Sequence, residues 1–251
     1  LAAALSAQGR VEGLFTVFCE AEDRFVLVCD GGDATTLESA LKRFVVADRV
    51  ACEEITKDIC VVHLAADEAR VRQVLEGASL QASAVAPRAR VSSVGVDLIF
   101  TAHNREAIVR LLHTVCGEEL SREQYVRMRW QMGCTVYPDE IDERGMVLEY
   151  HIRQAVSFTK GCYVGQEVVE RSDAIGKVPR QLERIVLDGS AAVEKDASVS
   201  AAGGEALGMV VGAVTSPAED QMFLFALLRT GKYKGGDKVV CAGRHGIIVQ
   251  V

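Results

Sequence analysis

The run Lys160-Gly161-Cys162-Tyr163-Val164-Gly165-Gln166-Glu167 sets a thiol between two glycines, with a cation before it and an amide and a carboxylate after it. Packing alone does not call for that combination. Gly161 and Gly165 permit positive φ or a close approach of the backbone to another group. Lys160, if near in space, favours thiolate over thiol at Cys162. Gln166 and Glu167 supply the amide and carboxylate contacts that can hold a heterocycle with donor and acceptor edges. On these grounds the segment suits a functional loop and a glycine-rich turn around a buried cysteine equally well.

Other chemistries find no support. The chain has no P-loop, GxGxxG, GxSxG or HExxH pattern, which weakens nucleotide-driven, serine-hydrolase and metalloprotease readings. Histidines 63, 103, 113, 151 and 245 are scattered and read as structural; His63, inside an apolar run, reads as a satisfied core histidine. Cysteines 19, 29, 52, 60, 116, 134, 162 and 241 include no CxxC pair, so a zinc ribbon, a thioredoxin-like motif and a typical iron–sulfur ligand set are not expected, and no metal is assigned. Cys19, Cys29, Cys52 and Cys60 lie in apolar runs and are expected to be buried small hydrophobes. The expected setting is reducing and cytoplasmic.

The elements that would position such a loop follow from the pattern. With 251 residues, 49% hydrophobic and 25% charged, the chain suits two or three compact units of an ordinary soluble protein. Apolar runs such as Met222 to Leu228 are far short of a membrane span, and nothing resembles a signal peptide. The start at Leu1 points to an incomplete N-terminus. A net charge of −7 argues against a whole-surface nucleic-acid binder. Arg171, Lys177, Arg180 and Arg184 form either a local basic patch or a solvated charged face.

Leu14 to Cys19 and Arg24 to Cys29 predict a hairpin, followed by a helix capped by Asp33 with Leu37, Ala40, Leu41 and Phe44 on one face. Val50 to Ile55 and Asp58 to Leu64 predict a second strand pair. Asp67 caps a short helix carrying Val71, Val74 and Leu75 and stopped by Gly77, and Val94 to Phe100 is a further strand. Asn104 opens a helix with Ile108, Leu111, Leu112 and Val115 inward, ending at Gly117. Ser121-x-x-Gln124 is a capping box whose helix puts Tyr125, Met128, Arg129 and Met132 on one side and ends at Gly133. That face is either core with a snorkelling arginine or the wall of a site. From about residue 176 short apolar runs alternate with glycines, which predicts an antiparallel β-barrel. The expected class is α+β, with residues 1–175 as one region and 176–251 as a barrel domain.

The run from Phe158 to Arg171 closely resembles the signature of the YgfZ family, K-G-C-[FY]-x-G-Q-E followed by an arginine, with every fixed position matched. Gly176-Lys177-x-x-Arg180-x-Leu182 continues it, and Ser6-Ala7-Gln8-Gly9-Arg10 resembles the family's earlier Q-G-[RK] segment. These are folate-binding relatives of the aminomethyltransferase (T-protein) of the glycine cleavage system. The resemblance implies T-protein-like folate-binding domains followed by a C-terminal barrel. It implies tetrahydrofolate or a folate derivative as ligand, and a role in assembly or maintenance of iron–sulfur enzymes with an indirect effect on tRNA modification. Partners would be folate and iron–sulfur enzymes or assembly proteins, with no direct nucleic-acid or membrane contact. Cys162 maps to the working thiol, beside Lys160. Tyr125, Arg129, Gln131, Gly161, Tyr163, Gly165, Gln166, Glu167 and Arg171 map to the ligand-binding set.

Departures from the pattern also matter. T-proteins place an aspartate near the folate, and the matching position is Leu14, with Glu12 a neighbouring substitute. Leucine can neither take a proton nor stabilise a cationic amine. Where T-proteins have a pterin-facing glutamate, this chain has Gln131, which keeps an acceptor oxygen and loses the charge. An aminomethyltransferase of the ordinary kind is therefore not expected, although a folate-dependent one-carbon transferase stands as the alternative. A binding module that kept the fold and lost the ligand is a third. The Cys162 thiolate could ligate iron, hold a persulfide or attack a folate-bound one-carbon unit.

Overall fold

The computed structural model describes residues 1–249 apart from positions 33, 44, 47, 48, 79–81, 118, 217 and 218. The expected cap at Asp33, the inward Phe44 and the last two residues of the final run lie outside the described residues, as does the side chain of Val115. In chain order the elements are β1 (Ala2–Leu5), β2 (Val11–Ala21), β3 (Arg24–Cys29), α1 (Ala34–Lys42), β4 (Ile59–Leu64), α2 (Glu68–Gly77), β5 (Ala84–Pro87), β6 (Val96–Thr101), α3 (Arg105–Cys116) and α4 (Arg122–Met132). After them come α5 (Gln166–Ile175), β7 (Arg180–Asp188), β8 (Ser198–Ala201), β9 (Ala206–Ser216), β10 (Gln221–Arg229), β11 (Lys238–Cys241) and β12 (Arg244–Val249). The chain divides into two compact units. One comprises Leu1–Thr16, Cys29–Asp33 and Thr135–Val251, the other Val17–Val28 and Ala34–Cys134.

In the first unit β1 pairs antiparallel with the start of β2, from Ala2↔Phe15 to Leu5↔Val11, burying Leu5, Val11, Leu14 and Phe15. Strands β7 to β12 close into an antiparallel barrel in the order β10-β7-β12-β11-β8-β9. Inward residues two apart, such as Ile185 and Leu187 on β7 and Leu224, Ala226 and Leu228 on β10, fill its interior, as strand alternation requires. Strand β10 is buried on both faces from Met222 to Leu228, which explains its unbroken apolar run.

The stretch before the Cys162 segment is fastened to this barrel by charge. Glu149, 1% exposed, accepts from Arg180 Nε at 3.0 Å and Nη2 at 2.9 Å, while Arg180 Nη2 also donates to the Arg144 carbonyl at 2.8 Å. Asp142 accepts from the Tyr150 hydroxyl at 3.1 Å, Arg144 Nε at 2.8 Å and the Arg144 amide at 3.0 Å, and it pairs with Lys195 at 3.2 Å. Burial alone would raise the Asp142 pKa, but the hydrogen bonds from Arg144 and Lys195 outweigh it and hold the carboxyl at about 2.

In the second unit β4 and β5 flank β6 in an antiparallel sheet, and Val71, Leu75, Val96, Leu98, Phe100 and Ile108 form a core with α2 and α3. Asp67 caps α2 through hydrogen bonds from the Ala69 and Arg70 amides, as its position predicts. The sheet buries Asp97 completely. Its carboxylate receives Arg90 Nε at 3.0 Å and Nη2 at 2.7 Å, lies 2.8 Å from His63 Nδ1 and 3.6 Å from Arg88 Nη1. Burial pushes its pKa up, but the hydrogen bonds from His63 and Arg90 and the two guanidinium charges bring it down to about 2.

Several expectations are corrected. Residues 51–55 form no strand; β4 pairs with β6 from Ile59↔Thr101 to Leu64↔Val96, and β5 takes the other edge of β6. Asn104 and Gly117 do bound α3 as expected, although the Asn104 side chain donates to the Thr101 hydroxyl rather than to the helix, which is entered through a tight turn at Ala102–Asn104. Gly77 is the last residue of α2 rather than the stop beyond it. Cys19 is exposed and Cys29, Cys52 and Cys60 are half-buried, so none of the four is a core hydrophobe. His63 is only half satisfied, because its Nε2 is buried with no hydrogen-bond partner.

Candidate functional site

Two sequence-distant segments meet in the first unit. Residues 6–10 form the turn between β1 and β2, closed by the Gly9 amide to the Ser6 carbonyl and the Ser6 amide to the Arg10 carbonyl, both at 2.9 Å. This turn packs on the N-terminal end of α5. Gly165 there has φ +81, and a Cβ on it would lie 2.5 Å from the Ser6 carbonyl oxygen and 3.1 Å from Gly9 Cα. Gly9, with φ +71, lies against Val168 and Val169. Glycine at 165 is thus required twice, by its left-handed backbone and by the turn pressed on it. The Q-G-R and K-G-C-Y-x-G-Q-E segments are one packed arrangement.

Between the turn Arg153–Ala155 and α5 runs the loop that carries Cys162. Ser157 Oγ accepts from the Thr159 amide at 3.3 Å and the Lys160 amide at 3.2 Å. The Lys160 ammonium lies 5.0 Å from the centre of the Tyr163 ring, a cation–π contact. Gln166 Oε1 accepts from the Tyr163 amide at 3.2 Å and its Nε2 donates to Glu170 at 2.7 Å, so this amide braces the loop against the helix. Glu167 and Arg171 are exposed and pair with each other at 2.9 Å. Cys162 is an exposed free thiol rather than a buried one. Gly161 departs from expectation: its φ is not positive and a Cβ on it would meet nothing within 4 Å, so the chain itself does not demand glycine there. The Tyr163 hydroxyl is buried without a hydrogen-bond partner, and burial, then the Glu170 charge, raises its pKa.

Near the same turn Ser6, Gln8, Arg10, Glu12 and Glu143 line an open cleft of about 350 Å³, within the size range of small-molecule sites. Ser6 Oγ accepts from the Gln8 and Arg10 amides at 3.3 Å each, and Arg10 Nη1 donates to the Glu143 carbonyl at 3.4 Å. The cleft therefore offers an amide, a guanidinium and carboxylates to a polar ligand. Leu14 is buried and contributes no polar group.

Tyr125, Arg129 and Gln131 lie on α4, in the second unit, whereas the Cys162 segment belongs to the first. The capping box of α4 is complete, with the Gln124 amide donating to Ser121 Oγ and the Ser121 amide to Gln124 Oε1, and Gly133 ends the helix at φ +66. Arg129 does not snorkel. It is 2% exposed, donates through Nη1 to the Cys134 carbonyl at 3.1 Å and lies 5.4 Å from the Tyr125 ring centre. Tyr125 is half-buried, and Gln131 and Met132 are exposed.

The sequence reading overlooked Ser157, Arg153 and Asp173. Arg153 donates a two-point fork to Asp173, both bonds at 2.9 Å, and its guanidinium lies 4.1 Å from the Phe158 ring centre. Residues 20 positions apart leave no periodic signal; only Ser157, three before Lys160, follows a local turn pattern. Of the suspected basic patch, Arg171 and Arg180 are engaged by Glu167 and Glu149. Among the described residues no cluster of three or more His, Cys, Asp and Glu could hold a metal ion, and no helix is long and apolar enough to cross a membrane.

The chain combines helices and sheets with a closed six-stranded antiparallel barrel, and this fold is similar to that of a known aminomethyltransferase. The chain is similar to the crystal structure of the glycine cleavage system aminomethyltransferase T from Bartonella henselae, with a TM-score of 0.78, 16% sequence identity, and coverage of 99% of this chain and 73% of that one. At that identity the similarity speaks for the fold. No protein-family model and no curated protein matches the sequence.

Proposed function

We propose that this chain is a tetrahydrofolate-binding accessory protein of iron–sulfur cluster assembly or maintenance, of the YgfZ kind, with Cys162 as its working thiol and an indirect effect on tRNA modification. The observation that carries the reading is the complete motif from Lys160 to Arg171, on a loop that exposes Cys162 and is backed by the Gln8-Gly9-Arg10 turn. The aminomethyltransferase-like fold supports it. On this reading residues 1–175 are the folate-binding region and 176–251 the barrel domain, and the protein works in the cytoplasm.

The residues present fit the ligand. The unpartnered Tyr163 hydroxyl and the open space at Gly161 suit a polar heterocycle, as do Gln8 and Glu12 in the nearby cleft. Tetrahydrofolate, when bound, supplies a pterin with donor and acceptor edges and a carrier for one-carbon units. By the resemblance, Gly165, Gln166, Glu167 and Arg171 are proposed ligand contacts in the first unit, and Tyr125, Arg129 and Gln131 proposed ligand contacts in the second. Tyr125 offers a ring for stacking and Gln131 an acceptor for a pterin N–H.

Titration of the purified protein with tetrahydrofolate is expected to give saturable binding, weakened by Tyr125→Ala and Gln131→Ala; no binding overturns the ligand assignment. Cys162→Ala is expected to fold and bind but to lose rescue of an iron–sulfur enzyme in cells lacking the endogenous protein. Full rescue removes the thiol from the mechanism. The fold likeness favours a second reading, a folate-dependent one-carbon transferase. Buried, apolar Leu14 argues against it, since that position can offer neither acid nor base. Methylene-tetrahydrofolate formation with the glycine-cleavage partners would reverse the ranking.

A further inference from the structure

We propose that Arg153 is a positioning residue for the Cys162 loop, a role that rests on the function proposed above for its purpose. Arg153 stands at the loop's entrance. Its Nε and Nη2 donate to Asp173 Oδ1 and Oδ2, each at 2.9 Å, and Asp173 lies on α5, the helix into which the loop leads. The same guanidinium lies over the Phe158 ring, with its carbon 4.1 Å from the ring centre. One side chain therefore joins the approach to the loop, its first aromatic residue and the helix beyond it. A planar guanidinium can stack on a ring while its in-plane N–H groups grip a carboxylate; a lysine ammonium cannot do both.

The other end of the loop is held independently, by Gln166 on the Tyr163 amide and by Gly165 under the Ser6 carbonyl. Cys162 thus sits on a short exposed span fastened at both ends, and its place is set before any ligand arrives. The Arg153 side chain is 60% exposed and that of Asp173 33%. A pair of that kind adds little to global stability. Its effect is local, so releasing it frees the loop and leaves the unit folded.

Amide hydrogen exchange followed by mass spectrometry tests this in the full chain, comparing wild type with Arg153→Ala, Arg153→Lys and Asp173→Asn. Amides of residues 157–164 are expected to exchange about fivefold to tenfold faster in Arg153→Ala, the scale implied by losing one exposed fork and one stacked ring. Barrel peptides keep wild-type rates. Asp173→Asn shifts the loop in the same direction, and Arg153→Lys, which keeps the charge but not the fork, falls between wild type and Arg153→Ala. Iron–sulfur enzyme rescue is expected to fall in Arg153→Ala, and tetrahydrofolate affinity to weaken with it, because Gly161 and Tyr163 ride on the freed loop. Unchanged loop exchange overturns the proposal, as does faster exchange throughout the chain or a freed loop with full rescue. If Cys162→Ala retains rescue, the proposed function fails on its own account, and loop exchange still decides whether Arg153 holds the loop.

Discussion

Asp97 depends on its neighbours to keep its charge. It is completely buried and receives a two-point Arg90 fork, His63 and the charge of Arg88. Removing one member of a buried ion cluster strands the remaining charges out of water. Asp97→Ala is therefore expected to cost about 3–5 kcal/mol, read as a lowered urea midpoint with unchanged slope. None of this was legible in the sequence. Asp97 sits in an apolar strand, and Arg88 and Arg90 lie in a stretch with no period, so only the strand register brings them together. The exposed thiol at Cys162 shows the same limit, since residue type cannot tell a buried cysteine from a presented one.

Gly161 and Gly165 look alike in the sequence and play opposite parts in the loop and helix. Gly165→Ala must adopt φ near +81 and push against the Ser6 carbonyl, so it is expected to destabilise by about 2 kcal/mol. Gly161→Ala meets open space and is expected to stay within about 0.5 kcal/mol of wild type. Thermal melts of the two variants check the contrast, and a loss of ligand or partner binding by the stable Gly161→Ala would then report an approach from outside the chain. Elements defined by local chemistry were readable: the Asp67 cap, the Ser121 box with Gly133, and the barrel strands with their glycine breaks. Elements defined by available partners were not. Val50 to Ile55 has strand composition, yet residues 51–55 form no strand, and β4, its expected partner, pairs instead with β6, whose other edge takes β5, a short alanine-containing strand with no alternation to announce it.

Among the described residues, Asp142 in the first unit and Asp97 in the second are both held at about 2. A carboxyl depressed in the folded state contributes stability that is complete above the unfolded value of about 4 and is lost as pH falls through the folded value. Circular dichroism during acid titration is thus expected to show stability constant from neutral pH down to about 4, then falling between about 4 and 2. Asp97→Asn should flatten that fall. The contact between the Ser6–Gly9 turn and Gly165 carries a consequence for biosynthesis. The turn leaves the ribosome first, and its seat on α5, far along the sequence, emerges much later. Domains tend to fold as units during synthesis, and contacts far apart in sequence close late. The Cys162 loop therefore reaches its final form only once α5 has emerged and met the turn, so a chain cut short just after Cys162 would bear the cysteine without the setting that makes it useful.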